Sequence, residues 1–146
     1  MADLQAACNA LAATIQANTT PPLTCYGQYR SQINPPMAYV VPQPGQLIVF
    51  DTLDGGAAYA GAVTYHVRVP IFVSYTEDES STAALNAYLS TNAPGSVINA
   101  ITMHSRLGGA VDFAVVTTAH SYGLRTVGDQ QYLACDVLVS IAASTP

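Results

Sequence analysis

From Val63 to Tyr75 the chain alternates. Val63, Tyr65, Val67, Val69, Ile71, Val73 and Tyr75 hold the odd positions, and each is β-branched or aromatic. Thr64, His66, Arg68 and Ser74 make the even positions mostly polar. Successive side chains of a strand point to opposite faces, so the pattern predicts one long strand with a dry face and a wetter one. Leu133, Cys135, Val137, Val139 and Ile141 repeat it against Asp136 and Ser140, which predicts a last strand at about residues 131–142. Two long half-buried strands imply a sheet with one face covered, and the rest of the chain must supply the cover.

Leu4, Cys8, Leu11 and Ile15 fall on one helical face, and Asp3 stands where a cap would. This predicts a first helix at about residues 3–17, stopped by Asn18-Thr19-Thr20-Pro21-Pro22. Leu23–Gly27 can form a short strand. Gln28–Pro36 is irregular, and Met37–Val41 and Leu47–Phe50 are short apolar runs. Asp51–Gly61, with two acids and three glycines, reads as a loop or hairpin tip. The acids Glu77, Asp78 and Glu79 suit the dipole of a second helix at about 78–91, and Ser96 can cap a third through Val97, Ile98 and Ile101. A strand at about 111–121 follows, then a polar loop from Tyr122 to Gln130. The order α-β-β-β-α-α-β-β predicts an α+β fold: one domain over residues 1–146, mainly antiparallel sheet, helices packed on one face.

Composition narrows the function. Half of the 146 residues are hydrophobic and only 9% are charged, well below the usual quarter. So few charges favour a chain that hides surface against partners. No apolar run approaches the ~20 residues that span a bilayer, and no signal peptide is expected. There is no lysine. Arg30, Arg68, Arg106 and Arg125 stand against nine acids, for a net charge of −5, so specific nucleic-acid binding is not expected. Cys8, Cys25 and Cys135 are odd in number and form no CxxC pair, which argues against a zinc site or disulfide framework and fits a reducing cytoplasm; Cys8 and Cys135, on predicted apolar faces, read as buried thiols.

Candidate chemistry is thin. His66, His104 and His120 lack metal-ligand spacing, His66 lying on the wetter strand face and His120 near a strand end. Asp51 and Asp54 lack the alternating oxygens and terminal Glu of a calcium loop, and a hairpin tip explains them. No nucleophile elbow and no phosphate loop is present. No catalytic residue, metal or cofactor is expected. Tyr26, Tyr29, Tyr59 and Tyr122 lie in or beside predicted loops, where they suit protein contacts as well as sheet capping.

Four phrases carry a resemblance. They are the opening helix Asp3–Ala12; Ile33-Asn34-Pro35-Pro36-Met37-Ala38-Tyr39-Val40; Ala93-Pro94-Gly95-Ser96-Val97-Ile98-Asn99-Ala100-Ile101; and Tyr122-Gly123 followed by Gly128 and Tyr132–Val139. In that order, over nearly the whole chain, they resemble the tail terminator family of long-tailed (siphovirus) bacteriophages, actinobacterial-phage type. The resemblance implies a virion protein of the tail–neck junction. It would form a homo-hexameric ring on the tail tube, end tube polymerisation and join the tail to the head connector. Implied partners are further copies of the chain, the major tail tube protein, the head connector or stopper protein and the tape-measure protein, with viral DNA passing through the lumen and no membrane. The family has no catalytic residues to carry over. The projecting segments Asp51–Gly61 and Tyr122–Gln130 then supply the candidate ring or tube contacts: Asp51, Leu53, Asp54, Tyr59, Tyr122, Leu124, Arg125 and Asp129.

The acidic loops and Pro42-Gln43-Pro44 equally suit a connector or stopper on the portal side. The remote alternative is a small α+β ligand-binding domain or enzyme, which needs a deep pocket with convergent polar groups.

Overall fold

In the computed structural model the Asp3 carboxylate accepts the Ala6 N–H at 2.7 Å and opens α1, Leu4–Asn18. The structure describes residues 3–44, 48–52, 59–77 and 79–144, with side chains for 3–44, 63–77 and 79–143. At the far end of α1 the buried Thr19 hydroxyl donates to the Ile15 carbonyl at 2.8 Å and accepts the Leu23 N–H at 3.1 Å. One side chain thus serves an orphan carbonyl of the helix and the turn that follows.

The strands are β1 (Thr24–Tyr26), β2 (Met37–Tyr39), β3 (Val41–Pro42), β4 (Ile48–Thr52), β5 (Tyr59–Ser74), β6 (Phe113–Val127) and β7 (Gln130–Ser144). Helices α2 (Glu79–Tyr88) and α3 (Val97–Met103) and a 3₁₀ turn at Leu107–Gly109 lie between β5 and β6. Ser96 caps α3, accepting the Asn99 N–H at 3.0 Å. Counting β2 and β3 as one interrupted run, the order is α-β-β-β-β-α-α-β-β. That is one strand more than the pattern predicted, because β1 does form and pairs in parallel with β2. The other pairings are antiparallel. The α+β class therefore holds.

The long strand is the sheet's spine. Odd residues Val63 to Val73 are buried, and β5 pairs with β7 in unbroken register from Ala62↔Ser144 to Ser74↔Tyr132. Tyr75 falls past the strand end and is exposed. Pro70 explains the break between β2 and β3. The even residues of β5 turn their backbone toward that neighbour, as His66 shows by accepting the Gln43 N–H at 3.0 Å. Pro70, opposite Tyr39 in that register, has no N–H to offer there, and Val40, opposite Val69, turns its N–H the other way to the Tyr26 carbonyl at 2.8 Å.

One face of the sheet carries the helices. Leu11 and Ile15 of α1, Leu85 and Tyr88 of α2, and Val97 and Ile101 of α3 pack with the odd residues of β5 and β7 in one cluster. Each fully buried Leu, Ile or Val contributes about 1.5–3 kcal/mol. Gly95 joins α1 to α3. It has φ +88° and its carbonyl accepts the Thr20 N–H at 3.0 Å, and a Cβ would sit 2.8 Å from that of Thr20. Only glycine suits both the angle and the approach.

The predicted polar loop Tyr122–Gln130 is largely strand. Gly123 and Gly128 suggested a loop, but Tyr122–Val127 continues β6, and only Gly128 and Asp129 connect it to β7. Gly128 has φ +62°, as the first central residue of a type II′ hairpin requires. His120 is consequently in mid-strand. Thr52 pairs with Tyr59, so Asp51 and Tyr59 belong to strands of the β4–β5 hairpin, while Leu53 and Asp54 lie outside the described residues.

Candidate functional site

The face of the sheet opposite the helices has two halves. On one, even residues meet a second apolar cluster: Phe72 of β5, Met37 and Tyr39 of β2, Ala134 of β7, Val41 and Ile33. Ile33 comes from the irregular Gly27–Pro36 segment, which makes the cover here. Tyr39 and Phe72 stack at 5.8 Å, and Tyr132 meets Phe72 edge-on at 6.1 Å while its hydroxyl donates to the Ile33 carbonyl at 3.3 Å. Tyr29 packs edge-on against Tyr39 at 5.3 Å, and Arg30 stacks over Tyr26 at 4.3 Å. Most of these tyrosines close the sheet rather than project from it.

Beyond that cluster stands a charged triad. Asp136 of β7 is buried, with Arg125 Nη1 at 2.6 Å from Oδ1 and Arg68 Nη1 at 3.4 Å from Oδ2. Arg125 Nη2 also donates to the Ser121 carbonyl at 2.9 Å. A buried carboxylate is costly unless paired, so the two arginines are what keep Asp136 inside. Arg125 is the stronger partner, shorter and doubly bonded. Arg68 Nε is buried with no hydrogen-bond partner among the described residues. Further along, His66 Nδ1 lies 3.0 Å from Ser140 Oγ.

The last part of this face has no cover among the described residues. Phe113 and Val115 of β6 share it and are 52% and 48% exposed, and on the helix side Leu124 is 49% exposed. Strand β6 pairs only with β7, so its other edge is free among the described residues beyond its first turn, where Ala114 donates to Ser105. Bulges interrupt β6 between Val116 and Thr118 and between His120 and Gly123, the second with Ser121 at φ +59°.

The candidate contact residues therefore divide. Tyr122 and Leu124 are exposed on the edge strand, although Tyr122 donates its hydroxyl to Asn86 Oδ1 of α2 at 2.9 Å. Asp129 is exposed in the hairpin turn. Arg125 is committed to Asp136 and the bulge, and reads as a brace within the fold. The triad was missed in the sequence, although Arg68 and Asp136 stand at even positions of the two patterned strands. The free edge was missed because half of β6 looked like loop.

Little else suggests chemistry. Among the described residues no three His, Cys, Asp or Glu side chains gather as a metal site would need. Burial pushes the thiols up, Cys8 to about 11 and Cys25 to about 12, and Cys135 is raised as well, so none is a ready thiolate. An apolar groove of about 320 Å³ lies between Pro21, Pro36 and α2, lined by Val73, Ala84, Ala87, Tyr88 and four hydroxyl residues. Among the described residues no charged side chain lines it. No described helix is long and apolar enough to cross a membrane. Neither a protein-family model nor a curated protein matches the chain.

Proposed function

We propose that this chain is a structural virion subunit, a tail terminator of a long-tailed bacteriophage. It forms a hexameric ring on the head-proximal end of the tail tube, stops tube growth and receives the head connector. The observation that carries this reading is the long strand β6, whose apolar side chains Phe113, Val115 and Leu124 stand in solvent in a chain with only 9% charged residues. Phe113 and Val115 share one face and Leu124 lies on the other, and apolar side chains left in solvent along an edge strand suit a surface that a protein partner covers. The order of the four sequence phrases supports the terminator in particular. An enzymatic role finds less support, because among the described residues no carboxylate, histidine, cysteine or arginine lines the apolar groove, and its one titratable side chain, Tyr88, donates its hydroxyl to the Pro21 carbonyl.

Native mass spectrometry of the protein, alone and mixed with its tail tube protein, tests the reading. The expected result is a hexamer, or a monomer that becomes one on tubes. A monomer indifferent to tubes that binds portal or adaptor protein would move the chain to the portal side of the neck. A saturable thermal shift with a small molecule would turn attention to the groove.

A further inference from the structure

Resting on that ring reading, we infer that neighbouring subunits join as knob and groove: Phe113 and Val115 of one copy seat in the apolar groove beside α2 of the next. Phe113 and Val115 are 52% and 48% exposed on the face opposite the helices, Phe113 level with Thr64 near the start of β5. The groove lies on the helix side, where Val73 and Ser74 end that strand. Knob and groove are thus on opposite faces and about 30 Å apart along β5, so no copy fills its own groove.

Size fits. A dry cavity of about 150 Å³ takes a benzene ring, and this groove, about 320 Å³, has room for the Phe113 ring and the Val115 side chain. Charge points to a second copy as the occupant. The triad holds two guanidiniums to one carboxylate, so the face that carries the knob keeps a positive charge in a chain of net −5. Arg68 is the looser partner there, and its Nε has no acceptor among the described residues. Beside it His66 stands two strands from Val115, through Ser140, about 10 Å across the sheet.

The groove has the complementary layout. Ala84, Ala87 and Tyr88 line it on one flank of α2, while the exposed carboxylates Glu77 and Glu79 lie on the other flank with Thr82, Ala83 and Asn86. The two flanks of a helix are about 10–12 Å apart. An apolar knob with positive charge about 10 Å beside it therefore meets an apolar groove with carboxylates at the same spacing. The contact joins unlike surfaces, as every ring of identical subunits with more than two members requires. It sets copies end to end, knob end to groove end, and leaves the sheet edges out of the join.

The test compares the intact chain with Phe113→Ser, which removes the knob, and Ala87→Phe, which fills the groove from an exposed position of α2. Both variants should keep the circular dichroism spectrum and melting midpoint of the monomer while half-assembly needs about tenfold more protein or more. If Phe113→Ser does not fold, Ala87→Phe carries the comparison. His66→Glu sets a carboxylate against Glu77 and Glu79 and should weaken assembly. Adding Glu79→Lys should restore it, and high salt should erase both effects. Assembly as ready in Ala87→Phe as in the intact chain, or a His66→Glu defect that Glu79→Lys leaves unrepaired, would overturn the contact and leave the ring reading standing. Open fibres in place of rings, abolished by Phe113→Ser and Ala87→Phe, would keep the contact and remove the ring. An intact chain that never assembles, alone or on tubes, would remove both.

Discussion

Strands β6 and β7 are each 15 residues long and joined by two residues, yet they share little else. In β7, Leu133, Ala134, Cys135, Asp136, Val137, Val139, Ile141 and Ala143 are buried. In β6, only Ala114 is. The difference is one of neighbours. Strand β7 lies between β5 and β6 with helices on one face, whereas β6, among the described residues, has a partner strand on one side only. Burial, and with it the cost of a substitution, follows position in the sheet more than composition.

The sharpest way to break the comparison is to place a carboxylate at a helix-facing position of β7 and at a solvent-facing position of β6. Val139→Asp on β7 puts an unpaired charge where exposure is 1% and should cost upwards of about 4 kcal/mol; a cooperative melt close to that of the parent chain would contradict the fold. Val115→Asp on β6 should cost within about 1 kcal/mol in the same urea titration.

Next in size is the triad that links the two strands. Asp136→Ala leaves Arg125 and Arg68 facing each other without the carboxylate between them, and Arg125 with only the Ser121 carbonyl. Both arginines are partly open to water, so the loss should fall at the lower end for a buried pair, about 2–3 kcal/mol. No change in the urea midpoint would mean the triad does not hold β6 to β7.

Thiol chemistry sharpens the comparison further. Burial, then the charge of Asp136, raises Cys135 on β7, opposed by Arg125 and by a hydrogen bond with the His120 backbone. A cysteine placed on β6 by Val115→Cys should react with a thiol reagent at pH 8 while native Cys135 does not. Linkage gives a pH trend. Cys8 and Cys25 hold their protons more tightly folded than unfolded, so their contribution is complete below the ordinary thiol value of 9.0 and fades as pH rises toward about 11 and 12. Tyr39 and Tyr88, also raised by burial, act in the same direction. The melting midpoint should fall from about pH 9 upward, and Cys25→Ala should flatten part of that fall. The smallest effect belongs to Val115→Thr, within about 0.5 kcal/mol for the monomer.

What the residues disclosed in advance depended on periodicity. The alternation in 63–75 and 131–142 marked the spine and its neighbour because each strand has a wet face and a dry one. Asp3 and Ser96 marked two helix starts because an N-cap needs a short acceptor side chain in a fixed place. Strand β6 was half hidden. Its exposed residues have no reason to alternate, and its bulges shift the period twice. The cover on the second face was invisible, since Gly27–Pro36 is irregular and Ile33 reaches Phe72 only through tertiary packing. Arg125 looked like a free surface cation because nothing local to it announces Asp136, eleven residues away on the next strand.

The most direct measurement is electron microscopy of tail tubes grown from purified tube protein with and without this chain. Tubes should stop at a bounded length with a ring at one end when the chain is present. Tubes that grow on without limit or ring, beside folded protein, would contradict the terminator.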